Sequence, residues 1–183
     1  MDVRPSKLFN VVSDVDRYSE FVPYVARSVV LSPDQIFPTD QRSKVSHSPV
    51  SSFKPLDSSL EGVTRFKKQF QATLDVGFTS TFTDKYTSLV TCRREQSGDN
   101  SVLEYSVHAQ DLGDSSFFYG LGSLWTIRPH DGGSGSNVEF TCWYVPRSSS
   151  VLAKGVGVMI DGSYEMVARK QMEAFWSRCK EDR

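Results

Sequence analysis

Residues 156–179 read VGVMIDGSYEMVARKQMEAFWSRC, and the spacing of their apolar positions decides how the rest of the chain is arranged. Val156, Ile160, Tyr164, Val167, Ala168, Gln171, Phe175 and Cys179 recur every three or four residues, while Glu165, Arg169, Lys170 and Glu173 fall on the opposite arc. This predicts a long amphipathic C-terminal helix with a stripe wide enough to cover a sheet. Gln171 lies inside the stripe, where a buried amide needs a partner, either a protein or water group at the helix edge or a ligand. Ahead of the helix, Arg147 to Gly155 reads as a Ser-rich loop.

Upstream, the period changes from 3.6 to 2. Phe66, Phe70, Ala72, Leu74, Val76 and Phe78 share one parity, broken by Lys68, and Gly77 suggests a bend or bulge. Phe82, Tyr86, Ser88, Val90 and Cys92 continue the pattern in a second strand. Leu103, Tyr105 and Val107 mark a third, and Phe117, Tyr119, Leu121, Trp125 and Ile127 a fourth that ends at Arg128-Pro129. Asp131 to Asn137 is glycine-rich and reads as a hairpin turn before a strand from Val138 to Val145. The middle of the chain is an antiparallel meander.

Residues 32–62 lack periodicity and hold Pro33, Pro38, Pro49 and Pro55 among many serines, the composition of a loop or disordered insertion. Before them, Val29 to Leu31 reads as a strand. Ser6 is the expected cap of a short helix with Leu8, Phe9, Val11, Val12 and Val15 on its apolar face. Asp14 to Tyr24 reads as a second helical turn stopped by Pro23.

The chain has 183 residues, of which 12% are aromatic, enough for one domain with a sizeable core. With 21 Lys+Arg against 22 Asp+Glu, it lacks the basic excess of a dedicated nucleic-acid binder. Nothing in it approaches the roughly 18 consecutive apolar residues of a membrane span. Three widely separated cysteines, Cys92, Cys142 and Cys179, fit reduced thiols better than a disulfide framework. Met1-Asp2-Val3-Arg4-Pro5 carries neither a secretory nor a mitochondrial leader pattern. The protein is therefore expected either to work where it is made or to begin here after a leader.

Short helices, then an antiparallel sheet, then one long helix is an α+β order with the helices on one face of the sheet. The space between sheet and helix becomes either a solid core or an apolar ligand cavity. No recognised catalytic constellation accompanies it. His47, His108 and His130 lack metal-ligand spacing, and no nucleophile elbow or phosphate-cradling glycine loop follows a strand.

Leu8-Phe9-Asn10-Val11-Val12-Ser13-Asp14-Val15-Asp16-Arg17-Tyr18, followed by Phe21-Val22-Pro23-Tyr24, resembles the opening signature of the coenzyme Q-binding protein family. That family is a branch of the polyketide-cyclase/START-like, helix-grip superfamily. Leu74 to Phe78, Tyr86 to Ser88 with Val90, Leu124 to Pro129 and Ala174 to Arg178 fit the same pattern in the same order. The resemblance implies a helix-grip domain over 1–183, a curved antiparallel sheet around the long helix, with its first strand missing and an insertion at 32–62. It departs from the family at Val25, where many members carry cysteine.

The resemblance further implies a non-catalytic protein that holds ubiquinone in an apolar cavity and supports respiration and ubiquinone synthesis. Its place would be the matrix side of the mitochondrial inner membrane. It implies no cofactor beyond ubiquinone or a related isoprenoid lipid as bound ligand, peripheral membrane contact, no nucleic acid and no metal. Motif position and strand parity together nominate Phe21, Pro23, Tyr24, Phe78, Trp125, Met159, Val167 and Phe175 as lining residues. Val151 to Met159, apolar and glycine-flexible, suits either a lid touching lipid or a loop leading into the helix. Two other readings stay open. An aromatase/cyclase would need His108, Tyr105 or Gln171 as its polar group, and a ribosome-associated interaction protein would follow bacterial relatives.

Overall fold

The computed structural model describes residues 2–31, 54–56, 63–79, 82–99, 101–130, 135–147 and 151–181, with backbone alone for 54–56, 78, 79, 82 and 151–164. The first described helix, α1 (Pro5–Ser13), starts one residue before the expected cap. Pro5 supplies a preset helical φ in the first turn and Arg4 holds the cap position, so Ser6 lies inside the helix and does not cap it. Leu8, Phe9 and Val12 are buried beneath it. A 3-10 turn (Val15–Arg17) and a four-residue helix α2 (Tyr18–Phe21) follow. Val22 then turns extended, the conformation that a following proline imposes.

Asp16 ties this corner to strand β1 (Val25–Val30), which begins four residues earlier than the expected Val29. Its backbone carbonyl accepts the Ser28 hydroxyl at 3.1 Å, and its carboxylate accepts the Val30 N–H. Ser28 in turn accepts the Ser19 N–H at 3.0 Å.

Strands β2 (Lys54–Leu56), β3 (Val63–Thr79), β4 (Phe82–Ser97), β5 (Val102–Asp111), β6 (Phe118–Pro129) and β7 (Ser136–Pro146) complete one antiparallel sheet. The order across it is β1-β3-β4-β5-β6-β7, with β2 paired to β3 further along the edge that β1 uses. β2 falls within 32–62, so part of the expected loop is strand; the remainder of that stretch lies outside the described residues.

Alternation holds on β3 and β4, where Phe70, Ala72, Val90 and Cys92 enter the core, and the pairing shifts between Gly77 and Thr79 as the glycine suggested. It breaks at two bulges. In β5 the pairing jumps from Glu104 to Val102, leaving Leu103 as the extra residue, 43% exposed, while Val102 packs against the core. In β6 the jump from Phe118 to Gly120 leaves Tyr119 57% exposed and turns Phe118 inward. The expected parity of Leu103, Phe117 and Tyr119 is therefore wrong by one residue at each site, because a bulge places two residues opposite one.

Helix α3 (Val151–Glu181) starts five residues before the expected Val156, so Val151 to Gly155 is helix and not loop. Leu152, Ala153 and Lys154 are good helix formers and carry the glycines that follow. In its described part, Phe175 and Cys179 are buried while Glu165, Arg169, Lys170 and Glu173 face solvent, as the spacing requires. Phe175 packs between Trp125, at 4.8 Å, and the pair Phe21 and Tyr18, at 5.2 and 5.3 Å. Arg178 reinforces the joint by bonding Glu20 at 2.8 Å. Among the described residues, no helix is long and apolar enough to cross a membrane.

Candidate ligand cavity

The concave face of the sheet does not close completely on α3. A cavity of about 220 Å³ remains between them. Its floor is built by inward residues of β3 to β7, among them Leu74, Tyr86, Val107, Phe118, Trp125 and Phe140. Val167, Gln171 and Phe175 of α3 form the roof, and Val15, Tyr18, Val22, Pro23, Tyr24 and Val25 wall one end. None of the described lining residues is Asp, Glu, Lys, Arg or His. The volume falls below the roughly 300–1,000 Å³ that encloses most of a drug-sized ligand. It accommodates a ring-sized group and the start of a chain.

Of the residues nominated from sequence, Pro23, Tyr24, Trp125, Val167 and Phe175 come together on this wall. Phe21 does not line it. It sits edge-on behind Phe175, with the Arg178 guanidinium 5.6 Å above its ring, because a four-residue helix presents Tyr18 to the cavity and turns Phe21 toward α3. Met159 and Phe78 lie on α3 and β3, and their side chains lie outside the described residues.

The Tyr24 backbone is left-handed, φ 68°, which is uncommon for a residue with a side chain. Its carbonyl accepts the Gly77 N–H at 2.8 Å, locking the α2–β1 corner to the bulged end of β3. The exposed Lys170 stands 5.9 Å from the Tyr24 ring, so this aromatic marks where the cavity wall reaches the surface.

The polar lining is sparse. Burial pushes the phenols of Tyr18 and Tyr86 well above their ordinary range. The Tyr18 hydroxyl donates to the Val12 carbonyl. Ser88 and Ser123 contribute hydroxyls, and Gln171 reaches the cavity from the roof with no hydrogen bond to a described residue.

Beyond Tyr86 lies an acidic group at the β4–β5 end, in which Asp84 and Asp111 are buried and Asp114 is exposed. Asp84 accepts the Ser115 hydroxyl at 2.6 Å, the Lys85 N–H at 2.9 Å and the Ser116 N–H at 3.1 Å. Asp114 accepts the Thr87 N–H at 2.7 Å. Asp111 is 9% exposed and neither of its oxygens has a partner in hydrogen-bonding geometry. Burial raises its pKa first. The Gly113 N–H opposes that shift, and neighbouring Asp114 and Asp84 add to it. Arg147 clamps the loop above this group, its Nε donating to the Ser115 and Phe118 carbonyls, both at 3.0 Å.

Two of the three candidate polar groups for an enzyme are elsewhere. His108 stacks on Trp143 at 5.5 Å and is absent from the cavity wall, because its neighbours Val107 and Ala109 take the inward positions of β5. Tyr105 is buried against Phe9 at 4.6 Å, below the cavity. Gln171 alone lines it. Sequence reasoning placed Tyr86 and Ser88 on the inward parity but did not nominate them, because lining was read from apolar motifs. Phe118 was hidden by the bulge. None of the three cysteines is in a disulfide, and burial pushes the Cys92 thiol up to about 12.

The sequence matches the profile of the family described as polyketide cyclase / dehydrase and lipid transport over residues 1–169. No curated protein matches it. The fold is similar to that of a STAR-related lipid transfer protein from Xanthomonas axonopodis. The two align with a TM-score of 0.57 at 12% identity, over 98% of this chain and 81% of the other. It is also similar to the Zhui aromatase/cyclase from a Streptomyces species, with a TM-score of 0.53 at 11% identity, over 97% of this chain and 87% of that one.

Proposed function

The chain belongs to the polyketide cyclase / dehydrase and lipid transport family, and from that premise we propose that it is a non-catalytic carrier of an isoprenoid quinone of the ubiquinone type. The observation that supports this reading most is a wall of aromatic and aliphatic side chains with no charged member among the described residues. Burying apolar surface contributes about 25 cal/mol per Å², so enclosure of a ring and its first chain units can drive binding without many polar contacts. An acid/base enzyme needs a titratable group matched to its operating pH; His108 is absent from this wall, and the Tyr18 and Tyr86 phenols on it are pushed well above their ordinary range by burial.

The proposal extends to setting. The motif resemblance favours a role in respiratory electron transport and ubiquinone biosynthesis on the matrix side of the mitochondrial inner membrane, with peripheral contact to the bilayer. Organic extraction of the purified protein followed by mass spectrometry tests the ligand directly. A co-purifying isoprenoid quinone at near-stoichiometric amount is expected. Its absence, together with no saturable uptake of added quinone, would overturn the proposal.

A further inference from the structure

The arrangement around Tyr86 restricts the chemistry of the occupant's polar end. Tyr86 lines the cavity from β4, and its hydroxyl bonds no described residue. It lies opposite Leu74 in the sheet. Two positions along the same face, Ser88 lines the cavity and stands opposite Asp111. Two positions the other way, Asp84 is buried at 6% exposure. A hydrogen-bond donor therefore fronts the cavity with two buried carboxyls beside it, and no described lining residue carries positive charge.

We infer that Tyr86 donates a hydrogen bond to a carbonyl or ether oxygen of an uncharged lipid head, and that Asp84 and Asp111 exclude lipids with anionic heads. This inference rests on the lipid-carrier reading above. An anionic head would lose its hydration in an apolar enclosure and gain no cation from the described lining in return, Lys170 standing outside it beyond the Tyr24 ring. It would also meet like charge at short range, where the low dielectric magnifies repulsion. A neutral acceptor has neither cost and satisfies a donor that would otherwise be left unbonded. Burial and the charges of Asp84 and Asp111 keep the Tyr86 phenol protonated, so it acts as a donor. Fatty acids and phospholipids are thus disfavoured, while quinones, ketones and esters are accepted.

The full chain is titrated with three probes sharing a ten-carbon tail: a decyl benzoquinone, decylbenzene and decanoate, with binding followed by calorimetry. The benzoquinone is expected to bind at least about ten-fold more tightly than decanoate. Tyr86→Phe is expected to weaken the benzoquinone about five- to ten-fold and to leave decylbenzene unchanged, on the order of one lost hydrogen bond. Asp111→Asn, which keeps the side-chain shape, is expected to narrow the gap between benzoquinone and decanoate. Equal affinity for benzoquinone and decanoate overturns the inference and leaves the carrier reading standing. So does an unaltered benzoquinone affinity in a Tyr86→Phe protein with wild-type circular dichroism. Failure of all three probes to bind overturns the carrier reading and the inference with it.

Discussion

A methyl group placed on Gly122 would stand 2.3 Å from the Trp143 ring and 3.0 Å from the Ala109 carbonyl. Only glycine lets Trp143 lie across β6 and stack on His108. Burial under that ring, with Arg93 nearby, depresses the His108 pKa. The folded chain consequently binds fewer protons here than the unfolded chain, and stability falls as pH drops below the ordinary histidine value of about 6.5. Gly122→Ala should push Trp143 aside and cost about 1–3 kcal/mol of stability. It should also let the His108 pKa rise toward its ordinary value, which a proton NMR titration of the ring would follow.

Asp111 behaves oppositely. Its raised pKa means that, just above the ordinary carboxylate value of about 4, the folded state still holds a proton that the unfolded chain has released; stability is lost as pH climbs through that window, above which Asp111 is ionised and remains a cost. Asp111→Asn should match wild type near pH 4 and exceed it at pH 7, by about 1–3 kcal/mol, the usual cost of a buried group left unbonded. Urea denaturation at both pH values measures the difference.

At the scale of elements, periodicity reported the architecture well. The 3.6 spacing of Val167, Gln171, Phe175 and Cys179 found α3, and the even parity of β3 and β4 found the core face, because one-sided burial leaves a strict repeat in the sequence. Bulges leave no such repeat. Leu103 and Tyr119 are as apolar as their inward neighbours, and only the pairing partner decides which residue is extra. Of the six nominated lining residues whose side chains are described, all but Phe21 reached the wall, since aromatics on the right parity tend to enclose whatever the sheet covers. Phe21, nominated from its motif position, turns toward α3 instead, and a helix of four residues is too short for spacing to show that face. Gln171 stands out as an amide inside an apolar stripe, whereas Tyr86 and Ser88 go without nomination because a lone tyrosine or serine on a strand carries no spacing signature.

The Tyr119 bulge makes a sharp forecast about chain length. Deleting Tyr119 leaves Leu121 and Phe118 inward and Gly120 outward, so the sheet keeps its faces and loses only the stacking of Arg147 on that ring. This deletion should cost about 1 kcal/mol. Deleting Leu124 instead reverses the faces of one half of β6, including Trp125 or Leu121, and should prevent folding. Thermal melts and soluble yield of the two deletions distinguish them.

For the whole molecule, sheet, short helices and α3 meet at one aromatic joint. Trp125 touches Phe140 at 4.5 Å and Phe175 at 4.8 Å, so the wall of the cavity and the anchor of the helix are the same side chains. Phe175→Ala should therefore do two things together: lower stability by about 3–5 kcal/mol and widen the cavity. Denaturation curves and the size of the largest alkyl probe accepted would report both.

The volume of about 220 Å³ sets a limit of another kind. Each methylene taken inside adds about 0.8 kcal/mol to binding, but only until the space is filled. Lengthening an isoprenoid cargo should thus tighten binding over its first units and then stop mattering. Every further unit would trail outside and make the laden protein greasier than the empty one. Retention on a phenyl column should rise with tail length while affinity stays flat, and on the carrier reading proposed above the full protein would cling to a bilayer and the emptied one would let go.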